Sequence, residues 1–390
     1  MSNLRLLIIS DLHAVIDSAF SHDSRLEFNK NKSEYGEAVI NYMRSLDIQP
    51  DVLVCAGDIS NKACKDSFNV GWNYINKIRN DLNIPTLLTV PGNHDHDSRL
   101  NSQYSPKHNL QFQSPIFPFE CHDKNTHFWA WNWCHIEQDS FHAILLNTSA
   151  YHGFGDEHNH GRVAIEVANQ IKDHLSSNAV IEKDFNLLLC HHHPEKMEFV
   201  DNSYDHEEME GGKLLIDRLQ EIDKGPWLII HGHKHFASLS YASSKGTCHP
   251  VILSAGSLSA RLYPEIENRT SNQFYIIDID SSETKNNGRL IGTINTFEWT
   301  MDSGWKPSTS EHLPAKGGFG CQDTPAMIAK KIIELFDNQQ GKFLDSNDLS
   351  TIQKSINHLP PIDFKSIIKK LQSQGFTVLF EDNILMEIGK

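Results

Sequence analysis

Residues 4–13 read LRLLIISDLH, an apolar run that ends abruptly in a carboxylate and an imidazole. The same pattern returns at residues 51–58 (DVLVCAGD) and 86–95 (TLLTVPGNHD), each time closing on polar side chains. Short apolar runs bounded by turn residues predict buried strands. Helical periodicity over residues 34–45 and 66–81 places a helix between successive strands. The order strand, helix, strand, helix, strand predicts a parallel sheet with crossover helices.

Composition narrows the class of protein. The chain has 390 residues, with 35 Lys+Arg against 50 Asp+Glu and a formal net charge of −15. This balance disfavours a broad surface for duplex DNA, because counterion release needs clustered Lys and Arg. Seven scattered cysteines without a CxxC pair predict free thiols in a reducing cytoplasm. No apolar run approaches about 18 residues and no signal peptide is recognisable, so no membrane association is expected.

The chain divides by composition into a long and a short part. An aromatic-rich stretch at residues 126–133 is predicted to be one of several further strands. Residues 301–323 are rich in Gly, Ser and Pro, which predicts a linker. The segment 324–390 has the pattern of three helices and a hairpin, the order of a winged-helix domain. We therefore expect an α/β domain over residues 1–300 and a small C-terminal helical module that serves packing, self-association or partner binding.

Five short motifs occur along the chain, and four of them directly follow a predicted strand. Each supplies oxygen or nitrogen donors that suit Zn, Mn or Fe. Because ligands of open α/β sheets bind at the carboxyl ends of the strands, these loops are expected to converge. The motifs are Asp11-Leu12-His13, Gly57-Asp58, Gly92-Asn93-His94-Asp95, His191-His192-His193-Pro194 and Gly232-His233-Lys234-His235.

The series DLH, GD, GNHD, HHHP and GHKH resembles the calcineurin-like metallophosphoesterase superfamily over roughly residues 4–260. The resemblance implies an α/β fold, a double β-sheet sandwich flanked by helices, with two divalent metal ions bound at the sheet ends. The ligands that it implies are Asp11, His13 and His235 for the first metal, Asn93, His192 and His233 for the second, and Asp58 bridging both.

The resemblance also implies roles for the neighbouring residues. In HHHP the family's ligand commonly stands two residues before the proline, which selects His192 and leaves His191 as the alternative. His94 resembles the family's histidine that contacts the substrate phosphate and serves as general acid, and Asp95 is expected to orient it. A water shared by both metals would have a lowered pKa and attack phosphorus at neutral pH. Manganese is the expected metal, with Fe, Zn or Co as alternatives.

The residues that follow Gly57-Asp58 bear on the substrate class. Residues 57–62 read GDISNK, so the arginine of the GDxVDRG protein phosphatases is missing and that activity is disfavoured. The first hypothesis is a phosphodiesterase acting on a nucleotide or another small diester. The alternatives are a metal-dependent DNA or RNA nuclease that works with a partner protein, such as an ATPase, through residues 324–390, and, more weakly, a non-catalytic metal-binding scaffold.

Overall fold

A computed structural model describes residues 3–16, 23–29, 32–100, 105–154, 160–197, 207–243, 249–339 and 343–390. The strands in these ranges are β1 (Leu4–Ile9), β2 (Val15–Ile16), β3 (Glu27–Phe28), β4 (Val52–Cys55), β5 (Thr86–Thr89), β6 (Trp133–Glu137), β7 (Phe141–Leu146), β8 (Phe185–Leu189), β9 (Trp227–His231), β10 (Ser238–Tyr241), β11 (Val251–Ser254), β12 (Gln273–Ile279), β13 (Gly292–Thr300), β14 (Gly304–Pro307), β15 (Lys316–Phe319), β16 (Phe343–Asp345), β17 (Thr377–Glu381) and β18 (Ile384–Gly389). The helices are α1 (Glu34–Ser45), α2 (Lys65–Asp81), α3 (His108–Gln111), α4 (His122–Trp131), α5 (Ile165–Ser176), α6 (Gly212–Gln220), α7 (Ser281–Asn287), α8 (Pro325–Asn338), α9 (Ser350–Ile356) and α10 (Pro361–Ser373). Among these helices, none has the length and apolar character needed to cross a bilayer.

Two large sheets form the body of the protein. The first has the strand order β14-β13-β12-β1-β4-β5, with β15 also paired to β13, and its strands β1, β4 and β5 are parallel. The second has the order β10-β11-β9-β8-β7-β6. Side chains from both sheets share one core, in which Leu6 and Ile8 of the first sheet lie with Leu187 and Leu228 of the second. The predicted double-sheet sandwich is confirmed.

Helices cover the outer face of the second sheet. In α5 the buried residues Val167, Ala168, Ile171 and Leu175 recur at helical spacing and form one apolar stripe. This stripe packs with the apolar face of α6 and with Ile229 of β9 in a second core. Both faces of the central strands are therefore buried, which is why these strands read as continuous apolar runs.

The aromatic stretch at residues 126–133 is mostly helical, so the strand prediction for it was wrong. It lies largely in α4, which ends at Asn132 in a left-handed conformation before β6 begins. Aromatic residues favour strands when read locally. Here Trp129 instead packs near the Phe117 ring, and its indole N–H donates to the Phe117 carbonyl at 3.3 Å. Tertiary packing thus outweighs the local preference.

The segment 301–323, predicted as a linker, contributes two strands to the first sheet. Both β14 and β15 pair with β13 in antiparallel register. Both strands have only four residues, and β15 (KGGF) offers almost no side-chain alternation, so the sequence pattern missed them. The glycines have a packing reason, because a Cβ on Gly318 would lie 2.0 Å from the Asn357 carbonyl oxygen.

The C-terminal residues form a small unit around their own core. Its helices α8, α9 and α10 precede the hairpin β17–β18 in the predicted order, and β16 adds a third strand to that hairpin. Thr324 caps α8 by accepting from the Met327 amide, with proline in the first turn. Two backbone hydrogen bonds join this unit to the first sheet: Gly318 of β15 donates to Leu359, and Cys321, just after β15, donates to His358. The winged-helix assignment stays a prediction.

Candidate metal centre

The loops that carry the five motifs meet at one edge of the sandwich, as the sequence predicted. Five of the predicted ligand positions have left-handed backbone, although none of them is glycine. Non-glycine residues adopt this conformation at an energetic cost and cluster at functional sites, where the surrounding structure holds them. These residues are Asp11 (φ 51°), His13 (φ 45°), Asp58 (φ 49°), His233 (φ 80°) and His235 (φ 57°).

Glycines allow the loops to approach these carboxylates closely. A Cβ on Gly92 would lie 2.1 Å from Asp58 Oδ1, and one on Gly232 would lie 2.3 Å from Asp11 Oδ2. Real Cβ atoms do not tolerate such distances, so both positions require glycine for steric reasons. The glycines of the GNHD and GHKH motifs therefore shape the site directly.

The first cluster of donors contains Asp11, His13 and His235. The His13 and His235 Nε2 atoms are 3.1 Å apart, and His235 Nε2 is 3.4 Å from Asp11 Oδ1. All three residues are buried. Burial, followed by the nearby His94 imidazole, lowers the pKa of His13 to about 3, so its ring stays neutral and keeps a lone pair for a metal.

The second cluster contains Asn93, His233 and a histidine of the HHHP stretch. The Asn93 side-chain oxygen lies 3.0 Å from His233 Nδ1 and 3.0 Å from His191 Nε2. His192 is instead engaged through Nδ1, which lies 2.8 Å from the Thr148 hydroxyl. The structure therefore places His191 beside Asn93, where the sequence interpretation had preferred His192.

Asp58 lies between the two clusters. Its Oδ2 atom is 3.4 Å from His13 Nε2 and 3.3 Å from His191 Nε2, so one carboxylate faces both sets of donors. Burial raises the pKa of Asp58, but the imidazoles of His191 and His94 outweigh it and hold that pKa well below the usual range. Conversely, burial opposes protonation of His191, yet the Asp58 carboxylate raises the pKa of His191 to about 9. Buried carboxylates thus draw positive charge to the position that a metal would fill.

His94 reaches the first cluster, whereas Asp95 has a different set of partners. The His94 ring lies edge-on to His13 with 4.5 Å between centroids, and its backbone N–H donates to Asp58 Oδ1 at 2.7 Å. The Asp95 carboxylate accepts hydrogen bonds from the backbone N–H groups of Ile59 at 3.1 Å, Ser60 at 2.7 Å and Gly92 at 2.9 Å. The Asp95 carboxylate also accepts a hydrogen bond from the Ser60 hydroxyl. Asp95 therefore connects the loop of the Gly57-Asp58 motif to the loop of the GNHD motif.

Tyr263 is a residue of the site that the sequence analysis missed. Its ring is stacked on the His235 imidazole, with 5.4 Å between centroids and 12° between the planes, while 44% of the residue is exposed. Partial burial, followed by the carboxylates of Asp58 and Asp11, raises the pKa of Tyr263 to about 12. No motif surrounds this tyrosine in the sequence, so only the folded chain reveals its place at the mouth of the site.

The donor set fits two metal ions. The described residues contain four overlapping groups of three Asp or His side chains. Within each group the ligand atoms lie within 4.8 Å of one another, and Asp58 belongs to two of the groups. Histidine, carboxylate and amide donors in buried, strained loops match the preferences of Mn, Fe, Co and Zn. The site geometry thus supports a dimetal centre without selecting the metal.

The chain was also compared with solved protein structures, and several similar chains of low sequence identity were found. The yellow lupin purple acid phosphatase PPD1 is 15% identical, with 76% of this chain and 52% of that chain covered and a TM-score of 0.47. A dimetal phosphatase from Danio rerio is 13% identical, with 71% and 94% covered and a TM-score of 0.41. The calcineurin-like phosphoesterase YfkN from Bacillus subtilis is 14% identical, with 78% and 88% covered and a TM-score of 0.37. The present chain spans about half the length of the lupin phosphatase.

No curated protein matches the sequence significantly. The profile described as calcineurin-like phosphoesterase matches residues 4–251, which is more than half of the chain. The match includes all five motifs, and with the His/Asp clusters it supports a metal-binding phosphoric ester hydrolase. The chain therefore belongs to the calcineurin-like phosphoesterase family.

Proposed function

We propose that this protein hydrolyses phosphodiester bonds with a pair of divalent metal ions, and that its substrate is a nucleotide or another small diester. The observation that carries the proposal is the position of Asp58, whose Oδ2 atom faces His13 at 3.4 Å and His191 at 3.3 Å. A carboxylate with one set of donors on each side can serve as a ligand that two cations share.

Each metal would have its own donors beside the shared carboxylate. We assign Asp11, His13 and His235 to the first metal. Asn93, His191 and His233 are assigned to the second metal, so His191 takes the place that the sequence interpretation gave to His192. A bound metal pair would supply a water of lowered pKa and positive charge against the phosphoryl oxygens. Manganese is our first choice for the pair, and Fe, Zn or Co would fit the same donors.

His94 is the residue that we assign to the leaving group. Burial lowers the pKa of His94, and its ring lies beside His13 at the edge of the first cluster. Its backbone N–H bond to Asp58 holds this loop against the shared carboxylate. A ring held there can contact the substrate phosphate and pass a proton to the departing oxygen.

The net charge of −15 favours a small substrate over duplex DNA, because long duplexes need many phosphate contacts from Lys and Arg. A nuclease that acts with a partner is the alternative. A substrate panel with Mn²⁺ separates the two: cyclic nucleotides, single- and double-stranded DNA, RNA and phosphomonoesters. Cleavage of nucleic acids alone would overturn the small-diester proposal.

The hydrolytic activity itself is tested with bis(p-nitrophenyl) phosphate and Mn²⁺. Asp58→Asn and His94→Ala should each reduce turnover by about 100-fold or more, since Asp58 would hold both metals and His94 would contact the reacting phosphate. The exposed residues Asp173 and His122 provide matched controls as Asp173→Asn and His122→Ala. Full activity in the Asp58 and His94 variants would contradict the site assignment, and no hydrolysis by the wild type in the whole panel would favour the scaffold alternative.

A further inference from the structure

We propose that the groove between α10 and the second sheet binds a nucleoside phosphate, as a ligand site separate from the metal centre. The groove has a volume of about 490 Å³, which is in the range of pockets that hold one small molecule. Its floor is formed by β10, β11 and the end of β9, one wall is α10, and the other wall is the loop after the HHHP motif. The inference does not depend on the proposed hydrolysis, because it concerns residues outside the two donor clusters.

One wall of the groove is the face of α10 that does not pack into the C-terminal unit. The buried face of this helix is apolar and belongs to the core of that unit, which fixes the orientation of the helix. The opposite face lines the groove with side chains three or four positions apart, which are Ile362, Lys365, Ser366 and Lys369. Two hydrogen bonds hold this wall against the sheets. The Tyr241 hydroxyl accepts the Gly320 N–H at 2.8 Å, and the Leu359 carbonyl, two residues before α10, accepts the Gly318 N–H at 3.1 Å.

Three lysines give the groove a local positive charge, although the net charge of the chain is −15. Lys365 and Lys369 stand one turn apart on α10, and Lys196 stands on the opposite wall. Lys369 is exposed and has no ion-pair partner in the described part of the chain. Ammonium groups on both sides of the groove suit a phosphate group that is bound between them.

The two carboxylates that line the groove leave its positive charge in excess. Glu195 is already engaged, since its side-chain oxygens accept the Ser243 backbone N–H at 3.1 and 3.0 Å. Glu311 contacts Lys365 at 3.4 Å, but its side chain is 88% exposed. Because exposed ion pairs contribute little free energy, a phosphate can replace Glu311 beside Lys365.

The floor of the groove combines polar and apolar surface, which suits a nucleoside. Ser238, Ser254 and His231 are in register on three neighbouring strands and form a polar row. Ile252 lies beside this row, and Ile362 of α10, which is 64% exposed, faces the groove from the wall. A base can pack against such apolar surface, while hydroxyls and an imidazole bind the polar groups of the base and ribose.

His231 is a buried ring in this floor and lies close to the metal centre. It is 3% exposed, and its Nδ1 atom donates to the Gly232 carbonyl at 3.2 Å. The ring has no other hydrogen bond within the described part of the chain, so Nε2 is the atom left for a ligand. The His193 ring lies between the groove and the second cluster, with its centroid 6.0 Å from those of His231 and His233. One imidazole thus separates the groove from the metal centre.

Calorimetric titration of the purified full chain with the α,β-methylene analogue of ADP tests the inference. The wild type should bind the analogue, and adenosine and inorganic phosphate should each bind about 10-fold more weakly or worse, since each contacts only part of the groove. Lys369→Glu should weaken the analogue by about 10-fold or more, because an anion replaces the cation beside the phosphate. Ser240→Trp, which fills the groove from the sheet, should weaken it to a similar extent.

Two control variants separate the groove from other causes of binding. Lys370→Glu makes the same charge change at an exposed neighbour on α10 that does not line the groove, and it should keep the wild-type affinity. Asp58→Asn, which removes the shared carboxylate of the metal centre, should also bind the analogue in the groove. Circular dichroism checks that each variant is folded.

The inference would be overturned if the wild type did not bind the analogue, or if either groove variant bound it with wild-type affinity. Equal weakening by Lys370→Glu would also overturn it, because the net charge of the helix would then explain the binding. Complete loss of binding in Asp58→Asn would place the analogue at the metal centre instead, and equally tight binding of adenosine or phosphate would exclude a nucleoside phosphate. Failure of the proposed function looks different, since the protein would then bind the analogue in the groove but hydrolyse no phosphodiester.

Discussion

Replacing Asp95 by alanine should destabilise the protein severely, because this carboxylate holds two loops of the site together. Asp95 is 3% exposed and accepts backbone hydrogen bonds from Ile59, Ser60 and Gly92. In Asp95→Ala all three buried N–H groups lose their acceptor. At about 1 kcal/mol or more for each, the loss in unfolding free energy should be about 3 kcal/mol or more. This is a large share of the roughly 5–15 kcal/mol that stabilises a typical native protein.

The assay is urea unfolding of metal-free protein, followed by tryptophan fluorescence and circular dichroism. Asp95→Asn separates hydrogen bonding from charge, because it keeps one acceptor oxygen and removes the repulsion that Asp58 exerts. We expect its stability to lie between those of Asp95→Ala and the wild type. Asp173→Ala, at an exposed helical position, should change the stability by less than about 0.5 kcal/mol. An Asp95→Ala protein with wild-type stability and only a reduced turnover would refute this reasoning and restore the catalytic role predicted from the sequence.

Three further predictions concern acid, packing and metal. Burial, followed by two neighbouring imidazoles, lowers the pKa of His135 to about 4, so the unfolded chain binds a proton at this histidine more readily than the folded chain. The free energy of unfolding should therefore fall as the pH is lowered from 6.5 towards 4. Urea unfolding at several pH values should show a shallower fall for His135→Gln. Gly318→Ala would place a Cβ 2.0 Å from the Asn357 carbonyl oxygen and should lower the free energy of unfolding by about 1–3 kcal/mol. A protease should then release the C-terminal unit faster. Unchanged resistance to the protease would contradict this packing. EDTA should lower the melting temperature, because the buried carboxylates of Asp11 and Asp58 would lose the positive charge of the metals, and added Mn²⁺ should restore it. A melting curve that EDTA does not change would argue against a tightly bound metal pair.

Much of the site could be predicted because its residues follow strands of a parallel sheet. Asp11, Asp58 and Asn93 lie two to four residues beyond the ends of β1, β4 and β5, and the carboxyl ends of parallel strands lie at one edge. Their convergence thus follows from chain order alone. Tyr263 carries no comparable signal, because it reaches His235 only through a turn that is remote in the sequence from the GHKH motif.

The sequence by itself determined the sandwich fold, the family and the order of the donor loops. The family and, through the resemblance, the sandwich depend on the five local motifs, whereas the parallel strands depend on apolar periodicity. Only the tertiary structure decided that His191 rather than His192 faces Asp58, that Asp95 bonds to backbone amides, and that Gly318 lies in a strand under Asn357. Each of these depends on side-chain direction or on a contact between distant segments. Such contacts join atoms about 3 Å apart that belong to distant parts of the chain, and spacing along a sequence does not encode them.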